Sequence, residues 1–161
     1  MNKKIILIIA SIVLLASLSN LSAQADESKS AGYVYSGVGF NEGDNALFIL
    51  GGGGETVLSN GLGLRADVGY LTFFEEFRAG VGTLSPGLFY EFAPQKKTSG
   101  FVGGGYTLFF REITFNGMHF GGGVRHWFSD SFGLRVEVRD EVFLEGETFH
   151  QILGRVSFLF R

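Results

Sequence analysis

The alternation of apolar and polar residues has a period of two in the C-terminal third of the chain. Between Leu134 and Glu141 the order is Leu-Arg-Val-Glu-Val-Arg-Asp-Glu, so one face of a strand carries charge and the other is apolar. Segments 64–70 and 155–160 repeat this alternation. Residues 26–161 contain no apolar pattern with the 3.6-residue period of a helix. The pattern therefore predicts an all-β protein.

Eight strand-like stretches can be marked along the chain, each of about 9 to 13 residues, the length that a tilted strand needs to cross a bilayer. The connections between them are short, which favours antiparallel hairpins. Pro86 lies within the fourth stretch and cannot donate to a ladder, so a bulge or local irregularity is expected there. The stretches are 32–40, 46–58, 62–74, 80–92, 100–110, 117–128, 132–143 and 148–160.

With the exception of Asp140, the charged residues of these stretches share one phase of the alternation. Arginine is the only base within them, because Lys29, Lys96 and Lys97 lie in the lead-in or in a polar turn. Such a pattern favours an enclosed interior in which guanidinium groups pair with carboxylates. We interpret the set as a structural plug of ion pairs, with a proton or ion path as the alternative. It comprises five acids and five bases: Glu55, Asp67, Glu91, Glu137, Glu141, Arg65, Arg125, Arg135, Arg139 and Arg155.

The opposite phase is apolar, and this decides the fold class. Charged residues make up 18% of the chain and hydrophobic residues 45%, too few charges for an ordinary soluble sheet. We therefore predict an eight-stranded antiparallel up-and-down transmembrane β-barrel with its apolar face towards lipid. An interior of this size is filled by side chains, which excludes a general porin. Aromatic residues at strand ends predict a girdle at one membrane interface: Tyr90, Phe92, Trp127, Phe128, Phe132, Phe158 and Phe160.

An internal repeat supports closure by hairpin duplication. Residues 51–68 align without gaps on residues 121–138, with eight of 18 positions identical. Each copy reads as a strand, a turn containing serine and a second strand that carries Gly-Leu-Arg. At matched positions Glu55 corresponds to Arg125, an exchange of sign that would help to neutralise the interior.

The N-terminus reads as an export signal. Lys3 and Lys4 precede an apolar run over 5–18, and Ala23-Gln24-Ala25 is a small-x-small cleavage site. We expect residues 1–25 to be removed, leaving residues 26–161 as one domain. Removal takes two lysines and no acid, so the 13 basic residues become 11 against 16 acidic ones, a formal charge of about −5. This charge disfavours nucleic acid as a partner. The chain contains no cysteine.

The C-terminal region resembles a known family. Residues 132–143, Phe-Gly-Leu-Arg-Val-Glu-Val-Arg-Asp-Glu-Val-Phe, and residues 150–160 resemble the last hairpin of small outer-membrane β-barrels of myxobacteria and other delta-type bacteria. More loosely, the chain is similar to the OmpA-like eight-stranded domain. The resemblance implies a bacterial outer-membrane location. It also implies that Val156, Phe158 and Phe160 form a C-terminal signal read by the barrel-insertion machinery, although Arg161 follows the final Phe.

Two features predict where the barrel would meet the outside. Asp140 falls in the lipid-facing phase, and a hairpin centred on Glu145 would place it directly opposite His150, so we predict a pair at the external rim. With an even number of strands, both termini would be periplasmic and loops 41–45, 75–79, 111–116 and 144–147 external. These loops are rich in acids, which suggests contact with lipopolysaccharide through divalent cations, with solvated charge as the simpler interpretation.

Catalytic and metal chemistry find little support. The three histidines His119, His126 and His150 lack a metal-binding spacing. His126, Ser129 and Asp130 are residue types of a catalytic triad but fall in a tight turn. Glycine runs at 51–54, 103–105 and 121–123 lack the residues of a phosphate-binding loop and are expected to leave room for arginine side chains. We predict no catalytic, metal-binding or cofactor-binding residue.

The function predicted from the sequence is that of an integral, monomeric outer-membrane barrel. It would serve envelope structure or act as a platform for partners, in contact with outer-membrane lipids. Two alternatives remain open: a narrow conduit for ions or small solutes, and a soluble lipocalin-like periplasmic carrier. The carrier would have its apolar face inward, so the polarity of the barrel separates these classes.

Overall fold

A computed structural model describes residues 28–41, 46–74, 79–111, 114–144 and 149–161, without the side chain of Phe149. Because β-branched and aromatic residues alternate with polar ones, nearly all of these residues are extended. No helix within these ranges is long and apolar enough to span a membrane. The strands are β1 (Lys29–Asn41), β2 (Ala46–Val57), β3 (Leu62–Phe73), β4 (Val81–Phe92), β5 (Thr98–Phe110), β6 (Thr114–Trp127), β7 (Phe132–Phe143) and β8 (Phe149–Phe160).

The eight strands form a closed barrel in chain order, with every neighbouring pair antiparallel. β1 closes the sheet on β8, with Gly32 opposite Phe160 and Asn41 opposite Gln151. We call the end with the start of β1 and the end of β8 the proximal end, and the other the distal end. The fold class predicted from the sequence is confirmed.

The observed strands begin and end within three residues of the predicted ones. One difference concerns lysine, because Lys29 was assigned to the lead-in and instead begins β1. Its Nζ donates to Gln95 Oε1 at 3.0 Å, which ties the first strand to a proximal turn. Of the distal loops expected to be external, residues 42–45, 75–78, 112–113 and 145–148 lie outside the described residues.

Pro86 interrupts one ladder without shifting it. The β4–β5 pairing runs to Leu84 opposite Leu108 and resumes at Gly87 opposite Gly105 in the same register. Pro86 remains paired with Ala66 on β3. Since proline has no N–H to donate, the interruption falls on the β5 side. The expected irregularity is therefore a gap in the ladder, with no extra residue inserted.

The two repeat copies form equivalent proximal hairpins. Glu55 is opposite Arg65 in β2–β3, and Arg125 is opposite Arg135 in β6–β7. The first turn uses Gly61 at a φ of 89°, a left-handed conformation that favours glycine. In the second turn Ser129 Oγ accepts the backbone N–H of Phe132 at 3.1 Å. Different turn chemistry thus supports the same hairpin.

The barrel has a charged middle and an apolar exterior. Arg65, Arg135 and Arg155 are 4%, 1% and 1% exposed, whereas Val136 and Val138 are 50% and 59% exposed. The expected polarity is therefore the observed one. The predicted girdle needs one correction, since Trp127 is 7% exposed and packs inside the proximal end with Leu159. It shares the inward phase of Arg125. The other six residues of the predicted girdle are exposed: Tyr90, Phe92, Phe128, Phe132, Phe158 and Phe160.

Candidate functional site

The strands bring the charged side chains of one phase together inside the barrel. Each lies on a strand whose next residue points outward, so the alternation alone directs it to the centre. All ten residues selected from the sequence are buried: Glu55, Arg65, Asp67, Glu91, Arg125, Arg135, Glu137, Arg139, Glu141 and Arg155.

Glu55 organises the proximal half of the network. Its Oε2 lies 2.5 Å from Arg135 Nη1 and its Oε1 lies 2.6 Å from Arg125 Nη2. Arg125 also reaches Glu91, at 2.8 Å between Nη1 and Oε2, and Ser99 donates its hydroxyl to the same carboxylate. The exchange of sign between the two repeat copies therefore becomes a direct ion pair across the barrel.

Asp67 has the corresponding role in the middle. Arg139 Nη2 donates to its Oδ2 at 2.9 Å, and Arg155 Nη2 donates to its Oδ1 at 3.2 Å. The hydroxyl of Tyr33 donates to Oδ1 as well. Charge-assisted bonds of this kind are the strong ones in a dry interior. One carboxylate therefore fixes two guanidinium groups from β7 and β8.

Several of the ion pairs connect opposite walls instead of following the strand register. Arg65 on β3 lies directly opposite Glu55 on β2, yet its Nη2 is 2.8 Å from Glu137 Oε1 on β7. Arg155 is likewise opposite Glu137 in the register and binds Asp67 on β3. The network therefore clamps β2, β3 and β4 to β6, β7 and β8 across the lumen.

Aromatic rings complete the packing of the guanidinium groups. Arg135 Cζ lies 4.2 Å from the ring centroid of Tyr33, and Arg155 Cζ lies 3.7 Å from that of Tyr35. A guanidinium group is planar and weakly hydrated, so a ring face is a favourable neighbour. At the proximal end, Arg161 Cζ lies 3.8 Å from the Trp127 ring, which gives the residue after the final Phe a contact of its own.

A row of three side chains lies at the distal edge of this network. His119, Glu141 and Gln151 are directly opposite one another on β6, β7 and β8, and all three are buried. Thr107 Oγ1 lies 2.9 Å from His119 Nδ1, and Arg139 Nη1 lies 3.7 Å from Glu141 Oε1. Among the described residues, His119 Nε2, Glu141 Oε2 and Gln151 Oε1 have no hydrogen-bond partner. Each member of this row therefore has one polar atom left without a partner.

Sequence reasoning missed the uncharged members of the interior. Tyr33, Tyr35, His119 and Gln151 are 1%, 5%, 0% and 5% exposed and contact or border the charged residues. Their strand phase could have identified His119 and Gln151, since they share the parity of Arg125 and of Arg155. Tyr33 and Tyr35 lie on β1, where the stretch predicted from the sequence, 32–40, contains no charged residue to mark the inward face.

The inward glycines of these runs lie closest to backbone oxygens of the neighbouring strand, and the side chains next nearest to them are mainly aromatic, which corrects the expectation of room for arginine. A Cβ on Gly53 would lie 2.7 Å from the hydroxyl oxygen of Tyr33, and one on Gly103 would lie 2.6 Å from Phe89 Cβ. Only in the third run does an arginine provide the near side chain, with Arg139 Cβ 3.4 Å from a Cβ on Gly121.

Two cavities border the interior within the described residues, one at each end of the barrel. A proximal cavity of about 10 Å³ borders Glu91, Arg125 and Arg161, room for about one water molecule. A distal cavity of about 170 Å³ is lined mainly by apolar side chains, with Gln151 among them. Between the two ends stand the buried guanidinium groups of Arg135, Arg139 and Arg155.

The Asp140–His150 pair forms on the outer face near the distal end. Asp140 Oδ2 lies 3.1 Å from His150 Nδ1, with side chains 41% and 45% exposed. The register differs from the expected one, because Asp140 is opposite Ile152 and His150 is opposite Val142. The contact is therefore diagonal, and the hairpin is centred one residue later than predicted.

The residue types of a catalytic triad have other partners. His126 Nδ1 lies 2.7 Å from Thr98 Oγ1, and its ring packs against Phe128. Ser129 Oγ accepts backbone N–H groups within its own turn, from Ser131 and Phe132. Within the described ranges, no three His, Asp or Glu side chains are grouped so as to hold a metal ion.

Comparison with solved structures places this architecture among known barrels. Neisserial surface protein A superposes with a TM-score of 0.65 at 10% identity, covering 83% of this chain and 97% of that one. The N-terminal β-barrel domain of Pseudomonas aeruginosa OprF gives 0.61 at 14%, covering 83% and 100%. The fold is that of outer-membrane β-barrels.

A third structure shows that this fold also carries enzymes. The outer membrane enzyme PagL superposes with a TM-score of 0.56 at 20% identity, covering 80% of this chain and 99% of that one. Comparison with protein-family models and with curated proteins gives no match. The likeness is therefore one of fold, and activity has to be argued from the side chains.

Proposed function

We propose that this chain is an integral protein of the bacterial outer membrane, exported by a signal peptide that is cleaved after Ala25, and that it serves envelope structure or as a platform for partners. The observation that carries the proposal is the polarity of the closed barrel. Charged side chains pair in the middle, while outward side chains such as Val38, Val68 and Phe120 are more than half exposed. Such a surface would aggregate in water and is stable against acyl chains.

The experiment follows the mature chain in cells and on gels. In a sucrose gradient we expect it to float with outer-membrane vesicles, and without boiling it should migrate differently from the boiled sample, because a closed barrel resists detergent. Recovery in the soluble periplasmic fraction without detergent would contradict the proposal. The N-terminal residue of the purified protein, expected to be Asp26, tests the cleavage site.

The conduit alternative has little structural support. A path along the axis would have to pass Arg135, Arg139 and Arg155, which are at most 1% exposed and held by carboxylates. Opening it would break several buried ion pairs at once, at a cost of several kcal/mol each. We therefore expect no stepwise conductance in planar bilayers. The soluble carrier required an apolar inward face, and the observed polarity in the middle of the barrel is the reverse.

A non-catalytic role belongs to the same proposal. It rests on the partners of the candidate catalytic side chains, because Ser129 caps its turn and His126 binds Thr98. Comparing lipid A from cells with and without the protein by mass spectrometry tests it, and a difference in acylation would contradict it. Membership of the small myxobacterial barrel family, the monomeric state and the contact with lipopolysaccharide are parts of the proposal as well.

A further inference from the structure

The distal cavity lies among buried side chains of the barrel strands. Its walls come from the distal ends of β2 to β8, and one wall is a stacked pair of rings, Phe109 and Phe143, with centroids 4.5 Å apart and planes at 21°. Leu47, Leu71 and Phe109 are at most 4% exposed, so the walls belong to the packed interior. Phe115 is 39% exposed and lies at the rim.

The volume of the cavity sets the size of what it can hold. It measures about 170 Å³, and apolar protein cavities of about 150 Å³ stay dry and bind benzene. One six-membered ring with a single substituent therefore fits, and an acyl chain does not. The flat stacked wall of Phe109 and Phe143 favours an aromatic ring, which can pack against it face to face or edge to face.

Two polar side chains, Thr72 and Gln151, interrupt the apolar lining, and Thr72 already donates its hydroxyl to the backbone oxygen of Phe73. Gln151 is 5% exposed, and within the described residues its Oε1 accepts no hydrogen bond. A buried amide oxygen without a donor costs free energy, so a ligand that supplies the donor gains affinity. Glu141, directly opposite on β7, also has an unpartnered carboxylate oxygen. Of these two residues only Gln151 lines the cavity, so its side chain is the polar group that a ligand in the cavity would meet.

We propose that this cavity binds one small phenol, with the ring against Phe109 and Phe143 and the hydroxyl on the amide of Gln151. A hydroxyl group both donates and accepts, so it satisfies the amide in either orientation of its oxygen and nitrogen. A charged ligand would lose its hydration among Leu47, Leu71 and Val81 without full compensation. The site is independent of the charged middle of the barrel and of the location of the protein in the cell.

The test uses the mature chain refolded in detergent micelles, with phenol and toluene as probes. Methyl NMR signals of Leu47, Leu71 and Val81 report on the cavity, and that of the outward Val136 reports on partition into the micelle. We expect saturable shifts of the three cavity residues with both probes, and tighter binding of phenol. Gln151→Leu should lower phenol affinity about tenfold and leave toluene affinity unchanged or higher.

A second set of variants tests the proposal by filling the cavity. Leu71→Trp should abolish the saturable shifts, whereas Val138→Trp, which adds the same indole to the outer face, should leave them intact. If Leu71→Trp does not give the heat-modifiable barrel, Val81→Phe replaces it. The proposal is overturned if the shifts do not saturate, if a folded filling variant still binds, or if Gln151→Leu weakens phenol and toluene equally. Flotation of the protein with membranes is measured separately, so the two proposals can fail independently.

Discussion

Glu55 is the residue on which the proximal ion pairs depend. It faces two guanidinium groups at 2.6 Å or less, and its carboxylate is buried. A buried ion pair contributes little net stability compared with an apolar core. Removing one member, however, leaves an uncompensated charge at a cost of about 3–5 kcal/mol.

We therefore expect Glu55→Gln to lower the free energy of unfolding by about 3 kcal/mol. Urea unfolding of the barrel in lipid vesicles, followed by the fluorescence of Trp127, measures this change. Asp130→Asn, in an exposed turn, is the control and should change stability by less than about 0.5 kcal/mol. Glu55→Gln combined with Arg125→Gln should cost at least about 1 kcal/mol less than the sum of the single changes. Strict additivity would argue against the pair.

The outer pair of Asp140 and His150 should behave differently, because both side chains are about half exposed. Exposed ion pairs contribute about 0–1 kcal/mol, so His150→Ala should lower the free energy of unfolding by less than about 1 kcal/mol. The same urea titration measures it. A loss as large as that of Glu55→Gln would mean that His150 has a buried structural role.

At the scale of the element, the bounds of each strand could be predicted from the sequence because they depend on a local pattern of residues. A period of two needs only neighbouring residues, so the bounds and the inward phase of β7 could be predicted from Leu134 to Glu141. The register of β7 on β8 depends on the loop between them, and its centre was predicted one residue early. The ion-pair partners of the arginines could not be predicted from the strand pattern. Arg65, for example, pairs with Glu137 across the lumen and not with its neighbour in the register, Glu55. The distal cavity arises only when seven strands, β2 to β8, meet.

The run of glycines in β2 offers a test of close packing at two adjacent positions. A Cβ on Gly53 would collide with the backbone oxygen of Ala66 on β3 and lie 2.7 Å from the hydroxyl oxygen of Tyr33, whereas one on Gly54 would meet its nearest atom, Ala31 O, at 3.9 Å. Gly53→Ala should therefore shift the β3 backbone, displace the ring that donates to Asp67 and lower the free energy of unfolding by about 1–3 kcal/mol.

Gly54→Ala is the matched control, because it changes the same residue type on the other face of the same strand. We expect its effect to stay within about 0.5 kcal/mol. Urea unfolding of both variants side by side gives the comparison. Equal losses would show that glycine acts through the unfolded chain and not through the room left for Tyr33.

At the scale of the whole molecule, closure depends on the seam between β1 and β8. The ring of Phe160 lies over Gly32, with its Cζ 2.9 Å from where a Cβ would stand, and Phe160 is opposite Phe132 on the other side. If Val156, Phe158 and Phe160 form the insertion signal, as we propose, the C-terminal end of β8 has two roles. One role is packing at the seam, and the other is recognition during assembly.

Phe160→Ala should reduce the amount of barrel in the outer membrane several-fold while the purified chain still refolds in detergent. Phe132→Ala is the control, since it removes an outward aromatic side chain at the same level and keeps the signal. Quantitative blotting of membrane fractions and the shift on unheated gels measure the two properties. Equal membrane yields for both variants would contradict a recognition role for Phe160.

The wall-to-wall ion pairs have a consequence for how such a chain could enter a bilayer. The partners are far apart along the chain, with Arg135 and Glu55 separated by 80 residues and Arg155 and Asp67 by 88. A hairpin that crossed the bilayer alone would carry unpaired guanidinium groups into the hydrocarbon. Each one costs a free energy of about 2–4 kcal/mol at the midplane. Insertion and circularisation should therefore be concerted, with early and late hairpins arriving together and neutralising each other as the cylinder forms.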